Sequence, residues 1–182
     1  IKWKTVLGAK ASQKYIVCNA DEGDSGTFAD RMLMEGDPFA LIEGMAIAAH
    51  ATGAGQGYIY VRSEYPHAIA KLERAIALCG GIISPLSLEV RVGAGAYVCG
   101  EETSLLNSLE GKRGEVRAKP PLPALEGLFG CPTVVNNVLT LAAVSHILTE
   151  GGAGAYAGLG HGRSKGTMPI QLAGNIRHGG LF

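Results

Sequence analysis

Cysteine is scarce in this sequence, and the few that occur are scattered. The four cysteines are Cys18, Cys79, Cys99 and Cys131, and none of them belongs to a Cys-x-x-Cys pair. Zinc sites and iron–sulfur clusters usually take thiolate ligands at such close spacing. We therefore expect no metal site and no iron–sulfur cluster built from this chain alone, and we expect Cys99 and Cys131 to serve as small packing residues.

A long apolar run and an excess of charge are also lacking. No stretch approaches the ~20 apolar residues of a membrane-spanning helix, and Ile1-Lys-Trp-Lys4 is not followed by the apolar core of a signal peptide. Lysine and arginine number 16 together, as do aspartate and glutamate. No field of one sign is therefore available to hold nucleic acid or an anionic membrane. These absences predict a cytoplasmic protein without direct membrane insertion, whose partner is a small molecule or another protein.

The standard nucleotide-binding loops are absent as well. The glycine-rich stretch 93–100, Gly-Ala-Gly-Ala-Tyr-Val-Cys-Gly, lacks the GxGxxG spacing, and no Walker A loop occurs. An ordinary dinucleotide-binding fingerprint is therefore excluded. Glycine itself is abundant, at 27 of 182 residues, which is roughly double the ~7% average.

Strand and helix patterns alternate along the chain. Runs rich in β-branched and aromatic residues predict strands over 14–18, 58–62 and 88–92. Apolar residues at helical spacing predict helices over 38–51, 66–79, 101–109 and 138–148. This alternation indicates one α/β domain with a largely parallel sheet covered on both faces. A further strand is predicted over 169–173.

Polar residues follow two of the predicted strands. The loop 19–26 begins Asn-Ala-Asp-Glu, and the loop 93–102 ends Gly-Glu-Glu. Ligands of parallel sheets bind beyond the carboxyl ends of the strands, so the two loops are expected to converge on one site. Each motif also has a plain structural explanation, because Asn and Asp stabilise turns, Asn136-Asn137 can cap a helix, and Glu101-Glu102 can complement a helix dipole. Their conjunction favours a polar ligand.

Longer strings cover nearly the whole chain. They are Cys18-Asn-Ala-Asp-Glu22, Phe28-x-Asp30-Arg31, Leu41-Ile-Glu-Gly44, Tyr58-Ile-Tyr-Val-Arg62, Tyr97-Val-Cys-Gly-Glu-Glu102, Ser108-Leu-Glu-Gly-Lys-Arg113, Leu128-Phe-Gly-Cys-Pro-Thr133 and Val135-Asn-Asn137. Together they resemble a family of flavoprotein subunits, which holds the NADH-binding subunit of respiratory complex I, the diaphorase subunit of NAD-reducing hydrogenases and the β subunit of NAD-dependent formate dehydrogenases. Residues 19–39 are most similar to the formate dehydrogenase β subunits, with the hydrogenase diaphorases close behind.

The resemblance implies a Rossmann-like fold and a diaphorase activity that uses FMN and NAD(H). Hydride would pass between NAD(H) and FMN, and electrons would pass to or from iron–sulfur clusters in the full-length protein or in partner subunits of a multisubunit redox enzyme. The alternative is a non-catalytic assembly module that keeps the fold and only docks its neighbours. The concentration of polar motifs argues against that alternative.

The resemblance also implies a set of binding residues. The FMN pocket would be lined by Lys2, Asn19, Asp21, Glu22, Tyr97, Gly100, Glu101, Glu102, Asn136 and Asn137, while Asp24, Glu102 and Lys119 would face the nicotinamide nucleotide. No catalytic side chain is implied, because the flavin carries the hydride chemistry, so Glu102 and Asp24 are assigned to positioning. Thr5 and Leu122 stand where complex I members carry aromatic residues, and Asp24 stands where Glu is usual.

The two ends of the chain carry separate expectations. Family members hold FMN with a glycine-rich loop that ends in Gly-x-Lys-Trp, and Ile1-Lys-Trp3 matches only its tail. We therefore expect the glycine loop to precede Ile1. Residues 1–166 are expected to form the FMN/NAD(H)-binding domain, and residues 167–182 are expected to begin a β-rich domain of the ubiquitin-like, SLBB type.

Overall fold

A parallel sheet forms the centre of the molecule. The computed structural model describes residues 1–149 and 151–182. The four strands are β1 (Tyr15–Ala20), β2 (Gln56–Val61), β3 (Ser87–Val92) and β4 (Thr133–Asn137), in the order β3-β2-β1-β4. Val17 of β1 is in register with Tyr58 on one side and with Val135 on the other. The predicted α/β class with a parallel sheet is confirmed.

Helices connect the strands. They are α1 (Lys2–Gly8), α2 (Ala29–Gly36), α3 (Pro38–Thr52), α4 (Pro66–Cys79), α5 (Glu102–Leu109), α6 (Val138–Leu148) and α7 (Gly152–Gly158). The predictions for α3, α4 and α6 are confirmed. Helices α1, α2 and α7 were not predicted, because helices of seven or eight residues are too short to show clear apolar periodicity.

Helix α3 shows how local signals set an element's bounds. Asp37 caps its first turn, with Oδ1 accepting from Ala40 N at 3.1 Å, and Pro38 occupies the position where a missing N–H leaves no bond unmade. The helix ends at Gly53, which takes φ 75° and so allows the left-handed C-terminal turn.

The core is divided between the two faces of the sheet. On one face, Ile16, Cys18 and Ile59 pack with buried residues from helices α1, α2, α3, α4 and α6. On the other face, a smaller cluster joins Val17 and Tyr60 to residues of α5 and to Leu128. The prediction of two covered faces therefore holds unequally, because α5 is the helix that packs on the second face.

The polar motifs lie differently from the sequence prediction in three respects. Asn19 is the fifth residue of β1, and Asn136 and Asn137 are the last two of β4, so these asparagines belong to strands instead of loops. Helix α5 begins at Glu102, with Glu101 as its N-cap. A 3-10 turn at Tyr97–Gly100 precedes it. The strand β4 was missed because its five residues offer too short a pattern.

Residues 151–182 pack beside the sheet domain. The short strands β5 (Gln171–Leu172) and β6 (Gly180–Leu181) pair antiparallel. The Gln171 side chain reaches the first polar loop, where its amide donates to Gly26 O and its Oε1 accepts from Phe28 N at 3.0 Å. Among the described residues, no helix is both long and apolar enough to cross a membrane.

Candidate functional site

The two polar loops meet at the carboxyl edge of the sheet. Asn19 Nδ2 donates to Gly100 O at 2.8 Å and so joins the end of β1 to the turn before α5. Between the loops lies a cavity of about 620 Å³, lined by Asp21, Glu22, Gly23, Asp24, Thr27, Asp30, Tyr97, Val98, Gly100 and Glu101. The expected convergence of these loops is confirmed.

Asp21 presents an unsatisfied carboxylate oxygen to this cavity. Its Oδ2 is buried and has no hydrogen-bond partner among the described residues. Burial raises the pKa of the Asp21 carboxyl, and the nearby Arg62 only partly opposes this. A Cβ at Gly100 would lie 3.4 Å from Asp21 O and 3.7 Å from Oδ2. The glycine therefore leaves the backbone open beside an acceptor that seeks a donor.

Glu22 directs its carboxylate at the neighbouring structure. Oε1 accepts from Asp30 N at 3.1 Å and Oε2 from Arg31 N at 3.3 Å, so the side chain satisfies the first turn of α2. Tyr65 Oη also donates to Glu22 Oε2 at 3.0 Å, and Arg62 donates to the Glu22 carbonyl. Glu22 thus holds the loop in place, and Tyr65 and Arg62 are supporting residues that the sequence reasoning missed.

Asp24 and Tyr97 join the two sides of the cavity mouth. Tyr97 Oη donates to Asp24 Oδ1 at 2.8 Å, and this hydrogen bond raises the pKa of the phenol. The Tyr97 ring lies against Gly23, where a Cβ would come within 3.0 Å of it. The contact makes the aromatic ring part of the cavity wall.

Asp30 is a cavity residue to which sequence reasoning gave no role. Burial, followed by the nearby Glu22 carboxylate, raises its pKa to about 7. The available signal was its place in the string Phe28-x-Asp30-Arg31.

Four predicted residues form one ion network at the start of α5. Lys119 Nζ lies 3.1 Å from Glu101 Oε1 and 2.8 Å from Glu102 Oε1. Lys2 Nζ lies 3.1 Å from Glu102 Oε2 and also donates to Val135 O at 3.1 Å. The network therefore connects α1, α5, β4 and the segment that carries Lys119.

The two glutamates divide their tasks. Glu101 Oε2 accepts from Thr103 N at 2.8 Å and from Ser104 N at 3.0 Å, which caps α5. Burial would raise the pKa of Glu101, but hydrogen bonds, led by the one from the Thr103 hydroxyl, lower it to about 2. For Glu102 too, burial opposes ionisation, while hydrogen bonds from Lys119 and Lys2 lower the pKa. Both carboxylates are therefore ionised near neutral pH.

The asparagine pair is turned towards other elements. Asn136 Oδ1 accepts from Trp3 Nε1 at 3.0 Å, which attaches α1 to β4. Asn137 Oδ1 accepts from Thr140 N at 3.0 Å and caps α6. Asn137 lines a second cavity of about 560 Å³ beside α6, so the structure does not bring it together with the residues of the first cavity.

Metal chemistry has no evident ligand set in the described part of the chain. Within residues 1–149 and 151–182, no group of three or more His, Cys, Asp or Glu side chains is arranged to hold a metal ion. Cys18 and Cys99 are buried, and all four thiols are free.

Known proteins share this fold and these residues. The family model described as the Nuo51 FMN-binding domain matches residues 1–146. The whole chain is 48% identical to the F 2 protein of the NADH-quinone oxidoreductase of Rhizobium meliloti (strain 1021) and covers 45% of it. It is 49% identical to the HndC protein of the NADP-reducing hydrogenase of Solidesulfovibrio fructosivorans and covers 39% of that protein.

A solved structure agrees with the sequence relatives. The crystal structure of an NAD+-reducing NiFe-hydrogenase in the air-oxidized state superposes with a TM-score of 0.93 at 42% identity, covering 99% of this chain and 31% of that one. The chain thus spans less than half the length of the relatives that it matches. The match over residues 1–146 and the identity to these relatives place the chain in the complex I 51 kDa family, as a Nuo51-type FMN-binding domain.

Proposed function

We propose that this chain binds FMN and NAD(H) and forms the diaphorase part of a subunit in a multisubunit redox enzyme. The observation that carries the proposal is the buried, unpartnered Asp21 Oδ2 beside Gly100, in a cavity of about 620 Å³ at the carboxyl edge of a parallel sheet. When bound, FMN supplies hydride exchange with the nicotinamide and single-electron exchange with iron–sulfur clusters held elsewhere.

The residues of the site fit FMN. Asp21 Oδ2 can accept a hydrogen bond from an N–H or O–H group of the ligand, and Gly100 lets a flat ring approach the backbone. Lys2 supplies positive charge at the same edge of the sheet, which suits a phosphate. In this proposal Asn19, Tyr97 and the supporting Glu22 shape the pocket, with Glu101, Glu102, Asn136 and Asn137 completing its wall.

The nucleotide end of the site is proposed to lie at Asp24, Glu102 and Lys119. Glu102 and Lys119 are a charged pair at the start of α5, and Asp24 stands at the cavity mouth with Tyr97. The carboxylates Glu101 and Glu102 stay ionised, because hydrogen bonds lower their pKa values. They orient the nucleotide through charge and hydrogen bonds and take no proton in the hydride step.

The identity of the wider enzyme is a finer part of the proposal. The relatives above support a subunit of the complex I or hydrogenase type. The assignment to a formate dehydrogenase β subunit rests on the form of residues 19–39. Sequencing the neighbouring genes separates them, because a molybdopterin subunit indicates formate dehydrogenase and a nickel–iron subunit indicates hydrogenase. We further propose a cytoplasmic location, and we propose that residues 167–182 begin a second, β-rich domain.

The test is flavin binding by the full-length gene product. Gly100→Val places a side chain against Asp21 and is expected to weaken FMN binding roughly tenfold to a hundredfold, the equivalent of ~1–3 kcal/mol of overpacking. Gly55→Val is the matched control, since a Cβ at Gly55 meets no atom within 4 Å. Bound FMN is measured by absorbance and by quenching of flavin fluorescence.

Equal FMN affinity in both glycine variants would contradict the assignment of this cavity. A wild-type protein that takes up no flavin at all would instead support the assembly module.

A further inference from the structure

Lys119 lies in a segment without regular structure. Residues 110–127, all of which the structure describes, connect α5 to the turn at Leu128–Gly130 and contain no helix or strand. Such a segment has no helix or ladder hydrogen bonds to hold a side chain in one place. Lys119 nevertheless contacts the carboxylates of Glu101 and Glu102 at once. Its position therefore depends on contacts made by its neighbours in the segment.

Arg117, two residues before Lys119, is attached to α5 through both its backbone and its side chain. Its N–H donates to Thr103 Oγ1 at 2.9 Å, and its Nε donates to Asn107 Oδ1 at 2.8 Å. Thr103 and Asn107 are four residues apart and therefore share one face of the helix. These two contacts lay the segment along α5.

The guanidinium group of Arg117 also holds the far end of the segment. Nη1 donates to Gly127 O at 3.0 Å, and Nη2 lies 2.8 Å from Glu110 Oε1 in an ion pair whose angle is outside hydrogen-bond geometry. The Glu110 side chain is only 4% exposed, so this charge needs its partner. Contacts to a carbonyl, an amide oxygen and a carboxylate at once suit the planar fork of arginine and not the single ammonium of lysine.

Thr103 connects this anchor to the ion network. Its buried hydroxyl donates to Glu101 Oε2 while accepting from Arg117 N–H. Lys119 Nζ returns to the other oxygen of Glu101 at 3.1 Å. The contacts therefore form a closed ring through Arg117, Thr103, Glu101 and Lys119.

We propose that Arg117 is a positioning residue for the nucleotide end of the site, holding Lys119 at the carboxylates of Glu101 and Glu102. The inference rests on the proposed function, in which Lys119 faces the nicotinamide nucleotide. Arg117 acts through Lys119 and does not contact the nucleotide itself.

The experiment is a double-mutant cycle in the FMN-loaded, full-length gene product. The variants are Lys119→Met, Arg117→Met and the double variant. The readouts are the Kd of tetrahydro-NADH, a reduced analogue that cannot donate hydride, and the KM for NADH with ferricyanide as acceptor. Lys119→Met is expected to weaken binding roughly tenfold to a hundredfold, the loss typical of a hydrogen bond to a charged group. Arg117→Met is expected to cause most of that loss alone, and less than about a twofold further loss in the Lys119→Met background.

Two control variants separate positioning from charge and stability. Arg113→Met removes an arginine of the same segment whose side chain is 89% exposed and lies 3.7 Å from Glu115, and it is expected to leave the Kd unchanged. Arg117→Lys keeps a positive charge beside Glu110 but lacks the fork. It is expected to bind the analogue as weakly as Arg117→Met while recovering part of the melting temperature, and it preserves the test if Arg117→Met does not fold.

The outcomes distinguish this inference from the function on which it rests. A Lys119→Met protein with unchanged Kd would overturn the nucleotide assignment and this inference with it. Weak binding by Lys119→Met together with normal binding by the Arg117 variants would overturn this inference alone. The same would follow if Arg117→Met weakened binding by an equal factor in both backgrounds, since Arg117 would then act independently of Lys119.

Discussion

Glu101 and Glu102 are consecutive residues whose carboxylates have different partners. Glu101 Oε2 caps α5 at Ser104 N, 3.0 Å away, whereas both oxygens of Glu102 face the lysines Lys2 and Lys119. The helix cap is thus supplied by Glu101. Glu102 is left available to the site at which the nucleotide is proposed to bind.

Substituting Glu102 is expected to affect activity more than stability. Glu102→Gln removes an ionised acceptor, so kcat/KM for NADH should fall roughly tenfold to a hundredfold, the equivalent of ~1.5–3 kcal/mol. The melting temperature should change little, because Glu101 retains the cap. The assay uses ferricyanide as acceptor, and Glu43→Gln, an exposed change on α3, is the control. Unchanged kcat/KM would return Glu102 to a purely structural role.

Substituting Glu101 should instead lower the stability of the fold. Glu101→Ala removes the side chain that accepts from Thr103 N and Ser104 N, and loss of such a cap costs ~0.5–2 kcal/mol. Urea unfolding followed by circular dichroism measures the change. A free energy of unfolding equal to that of the wild type would show that the cap is dispensable.

The same carboxyl group predicts a dependence of stability on pH. The pKa of Glu101 is about 2 in the folded protein, below the ordinary glutamate value of 4.5, so the folded state favours the ionised form. The contribution is present above pH 4.5 and is lost as the pH falls from there towards 2. Between these values the unfolding free energy of the wild type should fall more steeply than that of Glu101→Gln. Parallel pH profiles for the two proteins would contradict the assignment.

Gly44 is predicted to be indispensable for packing α3 against α6. A Cβ at this position would lie 1.9 Å from Leu141 O and 2.6 Å from Leu141 C. Gly44→Ala should therefore cost ~1–3 kcal/mol or more, because backbone atoms must move apart. Gly36→Ala at the end of α2 meets no atom within 4 Å and serves as the control. Equal melting temperatures for the two variants would show that the helices separate easily.

The cysteines should react with alkylating agents according to their burial. Cys18 is fully buried, and burial raises its pKa well above the ordinary thiol value. Cys99 is buried as well, whereas Cys79 and Cys131 are partly exposed. Iodoacetamide should modify Cys79 and Cys131 in the folded protein well before the other two, since the thiolate is the nucleophile. Peptide mass spectrometry measures the order, and early labelling of Cys18 would contradict the packing described here.

The sequence predicted the strands and long helices well where the local signal was strong. Helix α3 has both a capping Asp37 and Pro38 in its first turn, and its observed bounds Pro38–Thr52 differ from the predicted ones by one residue. Strand β4 was missed because five residues after a proline-rich connection carry little periodicity. Its place beside β1 is set by long-range pairing, such as that of Val17 with Val135.

For the site, the sequence by itself determined which residue types are present and that two polar loops lie at the same edge of the sheet. A run such as Gly100-Glu-Glu102 cannot show which carboxylate caps the helix and which faces the lysines. Tertiary structure decided that division, because it brings Lys2 and Lys119 to Glu102 across sequence separations of 100 and 17 residues. It also turned Asn137 and Glu22 towards helix caps, since a buried backbone N–H needs a partner that only the folded chain supplies.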